Sequence, residues 1–206
     1  MAPRYFPWTY VGTGLRCDDM TRCTECDFDY ESANGEDFAR LAGPFVDSYV
    51  ELLRSNNLAR LQLRPSPHVW SPLEYACHVR DLLLVQRERV LAARRRDRPV
   101  AEPMGRDERV EHDGYNNQRP GDVARQLTDA TLLLSNTLAR LSPADWGRTV
   151  IYTYPERAER SLGWVAAHTL HELCHHLLDV RRQLDQTDAA DSKPTTFRPT
   201  RRPAQP

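Results

Sequence analysis

Apolar residues return every three or four positions in four stretches of this chain, the period of an α-helix with one buried face. In the first stretch, about 37–55, Phe45, Tyr49, Leu52 and Leu53 keep the spacing, and Asn56-Asn57 closes it. Pro44 lies inside, where it either starts the main helix or kinks a longer one. The second stretch has the sharpest start: Ser71 as N-cap, Pro72 in the first helical position and Glu74 in the third make a capping box, with the helix running to about residue 95. The third covers about 120–141 through Val123, Leu127, Leu132, Leu133 and Leu138, and Ser142-Pro143 then starts a short helical turn. Ser161 caps the fourth, which reaches about residue 184. Residues 150–154 are β-branched and aromatic and read as an extended segment or small hairpin. Residues 96–117 hold Pro99, Pro103, Gly105 and Gly114 and read as a long loop, of a length that is often functional. Four long amphipathic segments predict an all-α protein, a four-helix bundle over 35–186. An irregular cysteine-containing segment over 1–34 precedes it, and a proline-rich disordered tail over 187–206 follows. Such bundles build metal sites from facing helices.

At 206 residues a single domain with a sizeable core is the default. A net charge of −1 argues against a nucleic-acid partner held through phosphates. No stretch approaches the roughly 18 apolar residues of a membrane span, and the chain does not open on a basic-then-apolar signal. A cytoplasmic protein with no membrane partner is the expectation, its ligand a small molecule. Two copies would pair through exposed apolar helix faces. Five cysteines suit reduced thiols or metal ligation better than a closed disulfide framework.

The fourth helix concentrates the chemistry. Residues 168–179 contain His168, His171, His175 and His176, four of the seven histidines. His171 and His175 lie one helical turn apart and project from one face, the spacing with which two imidazoles grip one divalent ion. Literally, residues 171–175 spell HExxH, in which Glu172 would be the general base of a zinc hydrolase. That reading needs a third ligand downstream, where Asp179 and Asp185 are poor substitutes. For His168 and His176, supporting or surface roles are expected. His78 lies on the second helix with Tyr75, Leu82 and Val85 on the same face; alone it reads as a core histidine.

Its setting changes that. Trp70, Ser71, Glu74 and His78, followed much later by His171, His175 and His176, resemble the DinB/YfiT-like superfamily, to which the amino-terminal domain of mycothiol-dependent maleylpyruvate isomerase belongs. The segment 141–146, Leu-Ser-Pro-Ala-Asp-Trp, also looks like that family's turn after its third helix. The resemblance spans about residues 36–186. It implies a four-helix bundle with a divalent metal held by His78, His171 and His175 and with open coordination positions, as in a catalytic site. Zn²⁺ suits three imidazoles, with Ni²⁺, Mn²⁺ or Fe²⁺ as alternatives. The family's chemistry implies a low-molecular-weight thiol, mycothiol-like, or water, activated for attack on a small electrophile. Only a Pro- and Arg-containing tail follows the bundle, so an S-transferase is expected rather than an isomerase. A non-catalytic metal- or small-molecule-binding bundle remains the alternative. Glu172, Tyr115 and Arg106 are the candidate catalytic residues, and Asp81 and Asp179 could orient His78 and His175.

Cys23 and Cys26 form a CxxC with Cys17 six residues earlier. A structural zinc needs a second pair, so several readings stand: Cys17, Cys23 and Cys26 with a distant histidine (His68 or His112) around a second metal, a redox pair, a disulfide, or free thiols. Cys77 and Cys174 are expected to pack in the core.

Overall fold

The computed structural model describes residues 22–153 and 157–191. In chain order its helices are α1 (Phe38–Ser55), α2 (Leu58–Gln62), α3 (Pro72–Arg95), α4 (Arg106–His112), α5 (Pro120–Leu138), α6 (Pro143–Trp146) and α7 (Leu162–Asp191). The strands are β1 (Val100–Ala101), β2 (Thr149–Tyr152) and β3 (Ala158–Ser161). The four long helices close a ring. Both α1 and α3 pack on α5 and on α7, so α1 and α3 stand diagonally across the bundle with only α2 between them in sequence. Tyr49, Leu73, Leu83, Leu127, Leu134, Leu170 and Leu173 fill the centre.

The four expected helices form close to their expected limits. Pro44 is accommodated within α1. α7 runs past the expected end of the bundle to Asp191, because no glycine or proline interrupts residues 164–191. The 96–117 segment is not a plain loop: it carries β1, α4 and a 3-10 turn at Tyr115–Asn117. β1 pairs parallel with β2, and β2 antiparallel with β3, giving a small sheet at one end of α3. Tyr152 anchors that sheet by donating its hydroxyl hydrogen to the buried Gln86 Oε1 at 2.8 Å. Cys17 and the tail beyond 191 lie outside the described residues.

Two local devices fix the parts that carry the histidines. The first is the start of α3. Ser71 Oγ accepts from the Glu74 backbone N–H, and Glu74 Oε2 accepts from the Ser71 N–H at 2.7 Å, the expected capping box. Arg64 then closes over both Glu74 oxygens, so a carboxylate buried to 1% exposure keeps its charge paired. Glu74 lies one turn ahead of His78, so the cap fixes the start of the helix that carries that ring. The second device is Gly35, in a short 3-10 turn before α1. A Cβ there would come within 2.9 Å of the Trp146 ring and 3.0 Å of Ala166, so only glycine lets this segment lie flat against α6 and α7.

Glu74→Ala removes the acceptor of both the Ser71 N–H and the Arg64 guanidinium. Unfolding free energy should fall by about 2–3 kcal/mol, read as a lower urea midpoint with an unchanged slope. A midpoint equal to wild type would mean the cap does not hold α3.

Candidate metal centre

α7 carries the string His171-Glu172-Leu173-Cys174-His175-His176. It contains two interleaved pairs at i, i+4, His171 with His175 and Glu172 with His176. One residue is about 100° of rotation on a helix, so the two pairs face different ways. His78 of α3 converges with Glu172 and His176, one donor atom of each lying within 4.8 Å of the others. His171 and His175 converge, within the same distance, with Cys23 and Cys26. The expected trio of His78, His171 and His175 does not form such a group: the rotation of α7 that turns His176 toward α3 turns His171 and His175 toward the amino-terminal segment.

In the first group, His78 and His176 meet edge to face with ring centroids 5.1 Å apart. His78 is 3% exposed and lies against Trp70, and its Nδ1 has no hydrogen-bond partner among the described residues. Burial, helped by the nearby His176, Arg106 and Arg109, pushes its pKa down to about 3, so the ring is neutral, the form that ligates metals. His176 Nδ1 is 3.1 Å from Asp179 Oδ2, and its Nε2 is 3.3 Å from Glu172 Oε2. If Nδ1 carries the proton given to Asp179, Nε2 presents a lone pair to a carboxylate. A cation, or a second ring proton, resolves that opposition. Two imidazoles and a carboxylate around one buried point are a donor set that fits a divalent transition metal.

Glu172 is shared. Its other oxygen, Oε1, lies 3.4 Å from His171 Nδ1 and 3.9 Å from His168 Nε2, and these three form a further close group. Its surroundings hold the carboxyl well below its ordinary range: His171 and His176 outweigh a burial that acts the other way. His168 supports the cluster from outside, stacked on Trp164 at 4.5 Å and bonded through Nδ1 to Tyr30 Oη at 3.1 Å.

The remaining expected residues separate by role. Asp179 serves His176 at 3.1 Å more closely than His175 at 4.0 Å. Asp81 accepts from Arg80, Arg109 and the Tyr115 hydroxyl at 2.7, 3.2 and 2.5 Å. Tyr115 is fully buried, and its hydroxyl donates to Asp81 rather than facing the histidines. Arg106 is half-buried and lies near enough to His78 to oppose its protonation. Cys77 is core, as expected, whereas Cys174 is half-buried with Sγ 3.9 Å from the Cys26 carbonyl. His68 and His112 are exposed and take no part in the cysteine group. Two things escaped the sequence reading: Glu172 beside His78, and His171 and His175 beside the CxxC. The signal for both was the second i, i+4 pair hidden in the same six residues. Among the described residues no helix is long and apolar enough to cross a membrane.

A sequence profile described as the DinB superfamily matches residues 47–180. No curated protein matches the chain. Among solved structures, YfiT from Bacillus subtilis is described as a probable metal-dependent hydrolase with an unusual four-helix bundle topology. It superposes with a TM-score of 0.69 at 10% identity, over 75% of this chain and 87% of that one. The mycothiol-dependent maleylpyruvate isomerase superposes with a TM-score of 0.59 at 14% identity, over 79% of this chain and 70% of that one. At these identities the likeness is one of fold.

Tyr115→Phe leaves Asp81 without one of its three donors. It should cost about 1–2 kcal/mol of stability and leave the bound-metal content unchanged. Loss of metal in this variant would tie Tyr115 to the histidine cluster instead.

Proposed function

Because the chain belongs to the DinB superfamily, we propose that it is a metal-dependent enzyme whose working cation is held by His78, Glu172 and His176. One observation carries the reading: a nearly fully buried imidazole with an unsatisfied ring nitrogen, convergent with a carboxylate and a second imidazole. Three protein donors leave such an ion with open positions, the mark of a site that does chemistry. A divalent ion there favours the anionic, nucleophilic form of a thiol or water that joins it. The chain's own residues prepare that state. Burial keeps His78 neutral, Asp179 fixes the ring orientation of His176, and Glu172 supplies one negative charge to the donor set. Zn²⁺ fits this set, as do Fe²⁺, Mn²⁺ and Ni²⁺.

The reaction we favour is transfer of the sulfur of a low-molecular-weight thiol to a small electrophile. The mycothiol dependence of one structural neighbour supports it. Hydrolysis is the second reading, supported by the description of the other neighbour. A zinc-protease use of HExxH has less support: it would need His171 and His175 on the working ion with Glu172 free as base. Here the carboxylate faces His78 and His176, and His175 turns its Nδ1 to Cys23 at 3.7 Å.

Purified protein, loaded with metal and given an added small thiol and a fluorogenic alkylating substrate, should turn over in a thiol-dependent way that chelation abolishes. His78→Ala should lower the rate by more than the roughly 10–100-fold typical of changes outside the ligand shell. Equal rates with and without thiol would favour hydrolysis, and a fully active, metal-replete His78→Ala would refute the ligand set. Asp179→Ala should weaken metal affinity by roughly 10–100-fold while leaving the ligands in place, measured by competition with a chromophoric chelator.

A further inference from the structure

We infer that Cys23, Cys26, His171 and His175 form a second metal site, a closed tetrahedral zinc centre that fastens the amino-terminal segment to α7. Their four donor atoms lie within 4.8 Å of one another. Cys23 Sγ and His175 Nδ1 are 3.7 Å apart, against the about 3.6 Å that separates sulfur and nitrogen on one tetrahedral zinc with ordinary bond lengths. Two thiolates and two imidazoles select zinc over the harder ions and leave no position open, the pattern of a structural site.

The backbone around the cysteines is built for it. The Cys23 N–H donates to the Phe28 carbonyl at 2.8 Å, and the Asp27 N–H donates to the Cys23 carbonyl at 2.9 Å, folding the CxxC into a tight knuckle. Asp27 takes the left-handed conformation, φ 61°, that such a turn demands and that a non-glycine residue rarely adopts. Arg22 holds it there with two hydrogen bonds of 2.6 Å to its carboxylate. Independently, both ring nitrogens of His171 are buried and make no hydrogen bond among the described residues. Nδ1 has Glu172 Oε1 at 3.4 Å beside it, so Nε2 is the nitrogen left unsatisfied unless something occupies the space between it and the sulfurs. The outer face of His175 is furnished as well: Nε2 lies 3.8 Å from Glu25 Oε2, inside the knuckle, and 4.0 Å from Asp179 Oδ2. Carboxylates on the far nitrogen are the usual supports of a ligating histidine. Zinc binding needs both sulfurs as thiolates and both imidazoles neutral, so the protons that these four groups carry leave as the ion binds.

This site stands whether or not the proposed enzyme reading does, but the two touch. His171 Nδ1 is 3.4 Å from Glu172 Oε1, so an ion on the other nitrogen of His171 would hold the carboxylate from behind while its second oxygen faces His78 and His176.

The test uses the full-length protein, purified under reducing conditions. Wild type stripped of metal and reloaded with zinc should contain two equivalents. Replacement by Co²⁺ should produce a thiolate-to-cobalt charge-transfer band and the intense visible bands of a tetrahedral ion. Cys23→Ser combined with Cys26→Ser should lose the band and one equivalent, and His78→Ala should keep the band and lose the other equivalent. If the serine variant does not fold, titrating wild-type thiols with a mercurial should release one of the two zinc ions to a chromophoric chelator. A cobalt protein without the band, a serine variant that retains two equivalents, or a Cys26–Cys174 disulfide in the freshly purified metal-loaded chain would overturn the inference. Two equivalents and an intact band in His78→Ala would instead refute the working site and leave this one standing.

Discussion

Everything distinctive in this protein follows from the pitch of one helix. At 3.6 residues per turn, six consecutive residues of α7 present one i, i+4 pair to α3 and another, about 100° around, to the amino-terminal segment. Glu172 and His176 meet His78; His171 and His175 meet Cys23 and Cys26. Neither pair could be moved by one residue without exchanging its partners. The adjacent Leu173 and Leu177, which are buried, lock the rotation of α7 against the core, and the Tyr49 hydroxyl adds a hydrogen bond to the Leu173 carbonyl at 3.2 Å.

Against that fixed helix the rest of the fold brings up the partners. α3 is held at its start by a capping box and a buried ion pair, which puts His78 at a fixed height opposite Glu172 and His176. The amino-terminal segment is held differently. It has one tight knuckle, a glycine that lets it lie under Trp146, and the rings of Phe28 and Tyr30 against His171. A bond between this segment and α7 would add the closure of a long loop to these contacts, since residues 23 and 175 are 152 positions apart.

The bundle was legible in the sequence because its signals are local. Ser71, Pro72 and Glu74 announce α3 within four residues, and the apolar period of the long helices needs no knowledge of neighbours. The family resemblance added order and closure. Within 96–117, local signals were weaker: β1 exists only because β2 lies beside it, and α4 begins after Gly105 in the left-handed conformation, with no side-chain cap to mark it. The metal chemistry was legible in its residue types, since His78, His171, His175, Cys23 and Cys26 were all singled out. Their grouping was not. Two imidazoles at i, i+4 look like a ligand pair wherever they point, and Glu172 resembles a general base when read as part of HExxH. The direction each side of α7 faces depends on contacts between residues more than ninety positions apart, and no local pattern encodes those.

Two cations of different character, side by side on one helix, are what the two proposals together require. The most direct measurement is a crystal structure of the metal-loaded protein with anomalous diffraction collected at the zinc edge. Two anomalous peaks are predicted, one bounded by Cys23, Cys26, His171 and His175, the other by His78, Glu172 and His176. A single peak bounded by His78, His171 and His175 would contradict them.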